Sequence, residues 1–343
     1  IALDRERATE HTLRRMTDWA ELQRRYAVVM STSPLDAPDP AAARAEAAEL
    51  GTRLASALLP DDVLARIANW DEVALVGTDS IGWVPFEALP VLGTEFGLEY
   101  ALTLLPSLTV GCLLERRADM LEHGALPDGL AVIGAPVSSA GPLVWNAERE
   151  RALRENWSEH AHFRSGVGAT VRALAELCGG RPAVLEVQAH GIYEPKSQPP
   201  AGFALTAEAG DDGRVFADRL ERLGLPPLLV LSVCGAARGP LRSGDDGMSH
   251  LGGAGLSGGA NAVLISGAEL KQRATERLND LVYAELLAHG SSPAQALRHA
   301  RRELARDPEY AEAFDLALVT VVGIGFRAVS RAELPQAQEA TPT

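Results

Sequence analysis

The hydrophobic pattern changes character twice along the chain. Residues 8–29 carry apolar side chains at helical spacing (Leu13, Met16, Trp19, Leu22, Tyr26) between charged ones, which predicts an amphipathic helix. A Ser/Pro/Asp stretch at 31–40 interrupts it, the Ala-rich residues 41–59 predict a second helix, and Pro60 with Asp61 and Asp62 opens a third running to 69. From Val73 onward the pattern turns into short apolar runs separated by turns and helical segments. Strands are predicted at 73–77, 83–85, 100–105, 130–134, 184–189, 228–233, 260–265 and 316–324, with a hairpin strand at 203–206. Helices are predicted at 86–89, 107–122, 147–156, 170–178, 216–223, 271–289 and 293–306, and the rest of 138–165 reads as irregular. Near-continuous apolar strands alternating with helices predict an α/β fold, a mostly parallel sheet with helices on both faces, behind an N-terminal helical region. The expected division is a helical region at 1–70, an α/β domain at 71–330 and a flexible tail at 331–343. Two successive α/β stretches divide that domain further, into 71–165 and 166–330.

Composition narrows the function classes. The chain has 343 residues and a formal net charge of −14, which argues against a binder that tracks nucleic-acid phosphates. Its longest apolar stretch, 316–326, is about half the ~20 residues a membrane-spanning helix needs. Neither nucleic acid nor membrane is expected as a partner. Cys112, Cys178 and Cys234 are far apart with no C-x-x-C pair, so reduced thiols in a cytoplasmic compartment are expected, without a disulfide framework, metal or cofactor. The sequence begins at Ile1, with neither an initiator Met nor the apolar core of a signal peptide, and is expected to be part of a longer protein.

Two strand ends carry reactive residues. The strand at 184–189 runs into His190-Gly191, and the strand at 228–233 runs into Cys234. The intervening helix is the crossover that would set these strands side by side with both tips at one edge, where open parallel sheets bind their ligands. An imidazole beside a thiol removes its proton or stabilises the thiolate. A glycine after the histidine lets a backbone N–H face a developing oxyanion. Spacing alone leaves open the reading of Cys234 as an inert buried thiol beside an unrelated histidine.

The stretch Val184-Leu185-Glu186-Val187-Gln188-Ala189-His190-Gly191, followed by Leu229-Val230-Leu231-Ser232-Val233-Cys234, resembles the CHAT family of caspase-like peptidases, which are often attached to tetratricopeptide repeats. The likeness extends to Gly82-Trp83-Val84-Pro85-Phe86-Glu87-Ala88-Leu89, Leu105-Pro106-Ser107-Leu108, Gly258-Gly259-Ala260-Asn261-Ala262-Val263 and Pro293-Ala294-Gln295-Ala296-Leu297, covering roughly 73–326. The resemblance implies a caspase-hemoglobinase fold. Residues 71–165 would be an N-terminal half of pseudo-protease type and 166–330 the catalytic half. It also implies His190 as general base, Cys234 as nucleophile, and the backbone N–H groups of Gly191 and Cys234 as oxyanion hole. The His-to-Cys spacing is close to the roughly 50 residues of caspases. The implied partners are a protein substrate and a regulatory protein or upstream repeat-type region. A catalytically silent interaction module is the alternative. The chain departs from the family pattern at Ser266-Gly267-Ala268, where a Trp is common, and at Gly235, where polar residues are frequent.

For the substrate pocket, Ser232 stands two residues before the nucleophile, and Asp245-Asp246 lies in a Gly-flanked loop beyond it that would offer carboxylates to a basic side chain. A solvated Asp-Gly turn is the plainer reading of that loop. Other motifs are decoys. Gly253-Ala254-Gly255-Leu256-Ser257-Gly258 matches a dinucleotide fingerprint and the overlapping Gly255-Leu256-Ser257-Gly258-Gly259 a hydrolase nucleophile elbow, but both precede a strand instead of following one. The stretch reads as a small-residue helix packed on the sheet. His160 and His162 lack further ligands, Cys112 and Cys178 read as core packing, and His289 before Gly290 reads as a helix C-terminus.

Overall fold

The computed structural model describes residues 2–3, 8–9, 18–30, 37–76, 84–122, 129–138, 141–193, 201–237, 251–310 and 318–327. Among these, ten strands make one sheet: β1 (Glu72–Val76), β2 (Ala101–Leu105), β3 (Leu130–Pro136), β4 (Ala161–Gly166), β5 (Val184–Tyr193), β6 (Ala201–Ala204), β7 (Arg214–Phe216), β8 (Leu228–Val233), β9 (Ala262–Ser266) and β10 (Val319–Gly323). The order is β7–β6–β5–β8–β9–β10–β2–β1, with β3 also paired to β5 and β4 outside β3. Strand β5 is the organising element. Its first part pairs in parallel with β3, from Leu130↔Val184 to Gly134↔Gln188, and with β8, from Leu228↔Val184 to Val233↔Ala189. Its last part, from His190 to Tyr193, pairs antiparallel with β6. Strand β10 runs antiparallel to β9, so the sheet is mixed but mostly parallel.

Each face is covered by helices, as buried parallel strands require. On one face, α5 (Leu108–Glu122), α7 (Val171–Gly179), α8 (Ala217–Leu220) and α9 (Leu251–Ser257) pack against Ile133, Val187, Leu231 and Ile265. On the other, α6 (Ala147–Trp157), α10 (Gln272–His289) and α11 (Pro293–Arg306) pack against Val132, Val184, Val230 and Leu264. Sequence sets these helix ends locally. Thr170 accepts a hydrogen bond from the Ala173 N–H at the start of α7, Ser292 and Gln295 form a capping box on α11, and Gly290 ends α10 in a left-handed conformation. Helices α1 (Trp19–Met30), α2 (Pro40–Leu58), α3 (Asp61–Ile67) and the short α4 (Phe96–Glu99) form a third core with Val73, Phe86, Leu89 and Leu102.

Several expectations change. The first described helix is Trp19–Met30, Ala8–Thr9 pairs with Ala2–Leu3 as a short antiparallel ladder, and Leu13 and Met16 lie outside the described residues. Val84 and Pro85 are not a strand but lead into a 3-10 turn at Phe86–Ala88, a turn that Pro85 permits because its fixed φ suits the position before it. The stretch read as irregular contains β4, whose alternating burial and polar His162 and Arg164 hide a short strand from an apolar-run criterion. Only Ala217–Leu220 of the expected helix at 216–223 is helical, because Phe216 belongs to β7. Cys112 is exposed on α5, whereas Cys178 is buried. The Gly-rich decoy is the helix α9, and a side chain at Gly255 would meet Val263 and Leu229, so the glycines serve close packing on the sheet. No described helix is long and apolar enough to cross a membrane.

Candidate active site

The parallel register decides which positions stand opposite one another where β5 parts from β8 and continues beside β6. Val233 stands opposite Ala189, so the next position sets Cys234 opposite His190. Side chains alternate along each strand. Val187, Ala189, Leu231 and Val233 point into the α7–α9 core. Glu186, Gln188 and Ser232 point the other way, toward α6 and α10, and His190 and Cys234 continue those two rows.

At the tip, Cys234 is exposed and His190 half-buried. The Cys234 sulfur receives the Leu270 N–H at 3.3 Å. The Nε2 of His190 lies 3.1 Å from the carbonyl oxygen of Gly141. A carbonyl only accepts, so Nε2 carries the proton and Nδ1 is left as the ring's acceptor. Gly141 is thus the backbone partner of the imidazole, one that the sequence did not reveal. The turn after Cys234 is held by Gly235 donating to Ala268 O at 3.0 Å and by Ala237 donating to Ser266 O at 3.0 Å. Gly235 has φ +67, a conformation that favours glycine, which accounts for its place where polar residues are frequent. The Ser266-Gly267-Ala268 segment is therefore the staple of this turn. Gly191 is exposed and packs directly on the Cys234 carbonyl, where any Cβ would overlap that oxygen.

Below the tips lies a buried polar network that the sequence reading missed. Glu186, fully buried, accepts from both terminal nitrogens of Arg149 (3.2 and 2.8 Å), Gln188 (2.8 Å), Asn279 (2.9 Å), Tyr283 (2.8 Å) and Ser232 (3.3 Å). Burial alone would push its carboxyl up, but the Arg149 guanidinium and the converging donors hold it below the ordinary carboxylate range. Arg149 also donates from Nε to Asp280 at 2.7 Å. Asp280 is pushed up to about 6, by burial first, partly opposed by Arg149 and reinforced by Glu186 and Glu276. Ser232 is engaged here on both sides, donating to Glu186 and accepting from Asn279 at 2.9 Å. A signal for this network was present: Glu186, Gln188 and His190 recur at the strand period inside an apolar run.

Beside this network is a shallow recess lined by Val132, Trp145, Asn146, Arg149, Gln188 and Glu276, among others. Gly134 gives it room, since a Cβ there would press on both Gln188 and Trp145. Asp245 and Asp246 lie outside the described residues. Cys178, in contrast to Cys234, is buried, and burial raises its thiol to about 12. No group of three or more His, Cys, Asp or Glu with metal-binding placement occurs among the described residues.

Comparison with solved structures shows the fold. The chain is similar to the Arg-specific cysteine proteinase gingipain R, with TM-score 0.51 and 12% identity over 91% of this chain and 76% of that one. It is likewise similar to the complex of Porphyromonas gingivalis RgpB pro- and mature domains, with TM-score 0.52 and 10% identity over 91% and 77%. A chain of the Saccharomyces cerevisiae separase–securin complex aligns with TM-score 0.47 and 13% identity over 71% of this chain, which spans 15% of that one. No curated protein matches by sequence. The sheet and its flanking helices are thus a caspase-like fold, and a family model for the CHAT domain matches residues 48–336, more than half of the chain. The chain belongs to the CHAT-domain family.

Proposed function

We propose that this chain is a cysteine endopeptidase in which Cys234 is the nucleophile and His190 the general base. The observation that carries the reading is the tip geometry: an exposed thiol in register with an imidazole whose Nε2–H is tied to Gly141, leaving Nδ1 to accept a proton. In the first step the Cys234 proton passes to Nδ1 and the sulfur forms a bond to the scissile carbonyl carbon. The carbonyl electrons collect on oxygen, facing the N–H groups of Gly191 and Cys234. The C–N bond then breaks as the imidazolium gives its proton to the amine, leaving a thioester. Water, deprotonated by His190, attacks the thioester, releasing the acid and restoring the thiol. Loss of a general base costs about 10²–10⁴ in rate, and loss of one oxyanion donor about 10²–10³.

The substrate is a protein, and activity is gated by a partner or an upstream region. An unregulated endopeptidase would damage its own cell, and the packed helices α1–α3 offer a surface beside the α/β core through which a signal could arrive. Mass-spectrometric mapping of new protein N-termini tests both parts. A small set of termini present with wild-type chain and absent with Cys234→Ala supports the reading. Cleavage persisting at the wild-type rate in Cys234→Ala overturns it, and widespread cleavage of an unselected proteome by the isolated chain overturns the gating.

A further inference from the structure

The carbonyl that orients His190 belongs to a loop with little regular structure of its own, and the fold holds that loop from one helix. Residues 141–146 run in non-helical, non-strand conformation from Gly141, at φ +110, to Asn146, the N-cap of α6. Pro142 and Val144 are exposed, while Trp145, at the far end, is partly buried against Phe163. The segment's anchors are side chains. The Gln272 amide, in the first turn of α10, makes a two-point clasp on Val144, its Nε2 donating to Val144 O at 2.5 Å and its Oε1 accepting the Val144 N–H at 3.4 Å. The same Nε2 donates to Glu276 Oε1 at 2.8 Å, and Glu276 Oε2 accepts from Asn146 at 2.9 Å. The Trp145 indole donates to Glu150 at 2.6 Å. Just before the helix, Leu270 N–H meets the Cys234 sulfur. One stretch, 270–276, therefore touches the nucleophile directly and the base through Gln272, Val144 and Gly141.

We propose that Gln272 is a positioning residue for His190, clasping the 141–146 loop so that the Gly141 carbonyl fixes the Nε2–H tautomer. This rests on the peptidase reading of Cys234 and His190. Without the clasp the loop keeps its anchors at Trp145 and Asn146 but loses the one at Val144, nearer to Gly141, so the carbonyl is held less firmly against the imidazole. A neutral replacement isolates this effect. The charged groups around the clasp, Glu276 and Asp280 of α10, Arg149 and Glu150 of α6 and Glu186 of β5, are all retained in Gln272→Leu and in Gln272→Met.

The test is the rate of alkylation of Cys234 by iodoacetamide as a function of pH, with each cysteine followed separately by peptide mass spectrometry. Exposed Cys112 is the internal reference. In wild type, Cys234 is expected to react well above Cys112 at about pH 6, where a free thiol is almost wholly protonated, and His190→Ala should abolish that excess. Gln272→Leu and Gln272→Met should reduce the excess about tenfold at about pH 6 while leaving the rate near pH 9 and the Cys112 profile unchanged. A merely structural role would move both cysteines, or the thermal melt, without reshaping the Cys234 profile. A His190-dependent excess that is identical in wild type and both Gln272 variants overturns the positioning role alone. A wild-type Cys234 that follows the Cys112 profile and ignores His190→Ala overturns the peptidase reading itself.

Discussion

Strands β5 and β8 lie side by side, yet their two faces have opposite chemistry. Toward α7, α8 and α9 they present Leu185, Val187, Ala189, Leu229, Leu231 and Val233, hydrocarbon from base to tip. Toward α6 and α10 they begin with Val184, Leu228 and Val230 and then turn polar, through Glu186, Gln188 and Ser232 to His190 and Cys234. The apolar face gains from removing surface from water, about 1.5–3 kcal/mol for each large side chain. The polar face forgoes part of that gain, and its fully buried carboxylate is tolerable only because six donor hydrogen bonds from five residues converge on it. What the polar face obtains is order: the donors to Glu186 come from β5, β8, α6 and α10, so the network ties these elements together beside His190 and Cys234.

Four substitutions sharpen that contrast. The largest loss is expected for Arg149→Met, which leaves the buried Glu186 without its cation and should cost about 3–5 kcal/mol, read from urea denaturation. Leu231→Ala on the opposite face should cost about 2–5 kcal/mol by cavity formation. Its folded form should nevertheless keep the wild-type labelling of Cys234, and a loss of labelling would show that the faces are not separable. Gly191→Ala forces a methyl onto the Cys234 carbonyl, with a stability cost of about 1–3 kcal/mol. Here the reactivity of Cys234 should fall far more than stability does, since the displaced atoms belong to the tips. The smallest effect is expected for Asp280→Asn. Because Asp280 is raised from 3.8 to about 6 in the folded chain, its neutral form is favoured there and its contribution to stability is lost as pH rises from about 4 through 6. The variant should lack that decline, so its urea midpoint relative to wild type should improve between pH 4 and 7, and an unchanged difference would argue against the raised carboxyl.

The two faces were unequally legible in the sequence. The apolar rows gave the strand at 228–233 to the residue and the parallel part of β5 at 184–189, but not its continuation from His190 to Tyr193 against β6, because that part is polar and half-exposed. The polar row was visible only in part. Glu186 and Gln188 sit at the strand period with His190, but their partners Arg149, Asn279 and Tyr283 come from helices distant in the chain, and no local pattern announces which arginine meets which glutamate. The same limit applies to Gly141, which acts through a backbone carbonyl and so leaves no side-chain signature at all. Strand β4 escaped because it is short and half-exposed, and Cys112 was assigned to the core although the outer face of α5 carries it. Sequence periodicity reports a residue's face within its own element, whereas the third group of a site is set by packing between elements.

The account rests on Cys234 being a nucleophile activated by His190. A peptidyl acyloxymethyl ketone, which transfers its peptidyl ketone to an activated thiol with loss of the carboxylate, reads that activation without knowledge of the natural substrate. Mapped by mass spectrometry, labelling is predicted at Cys234 in wild type, at least about 10²-fold slower at Cys234 in His190→Ala, and equal at Cys112 in both. Cys234 labelled no faster than Cys112, or labelled equally with and without His190, would contradict the account.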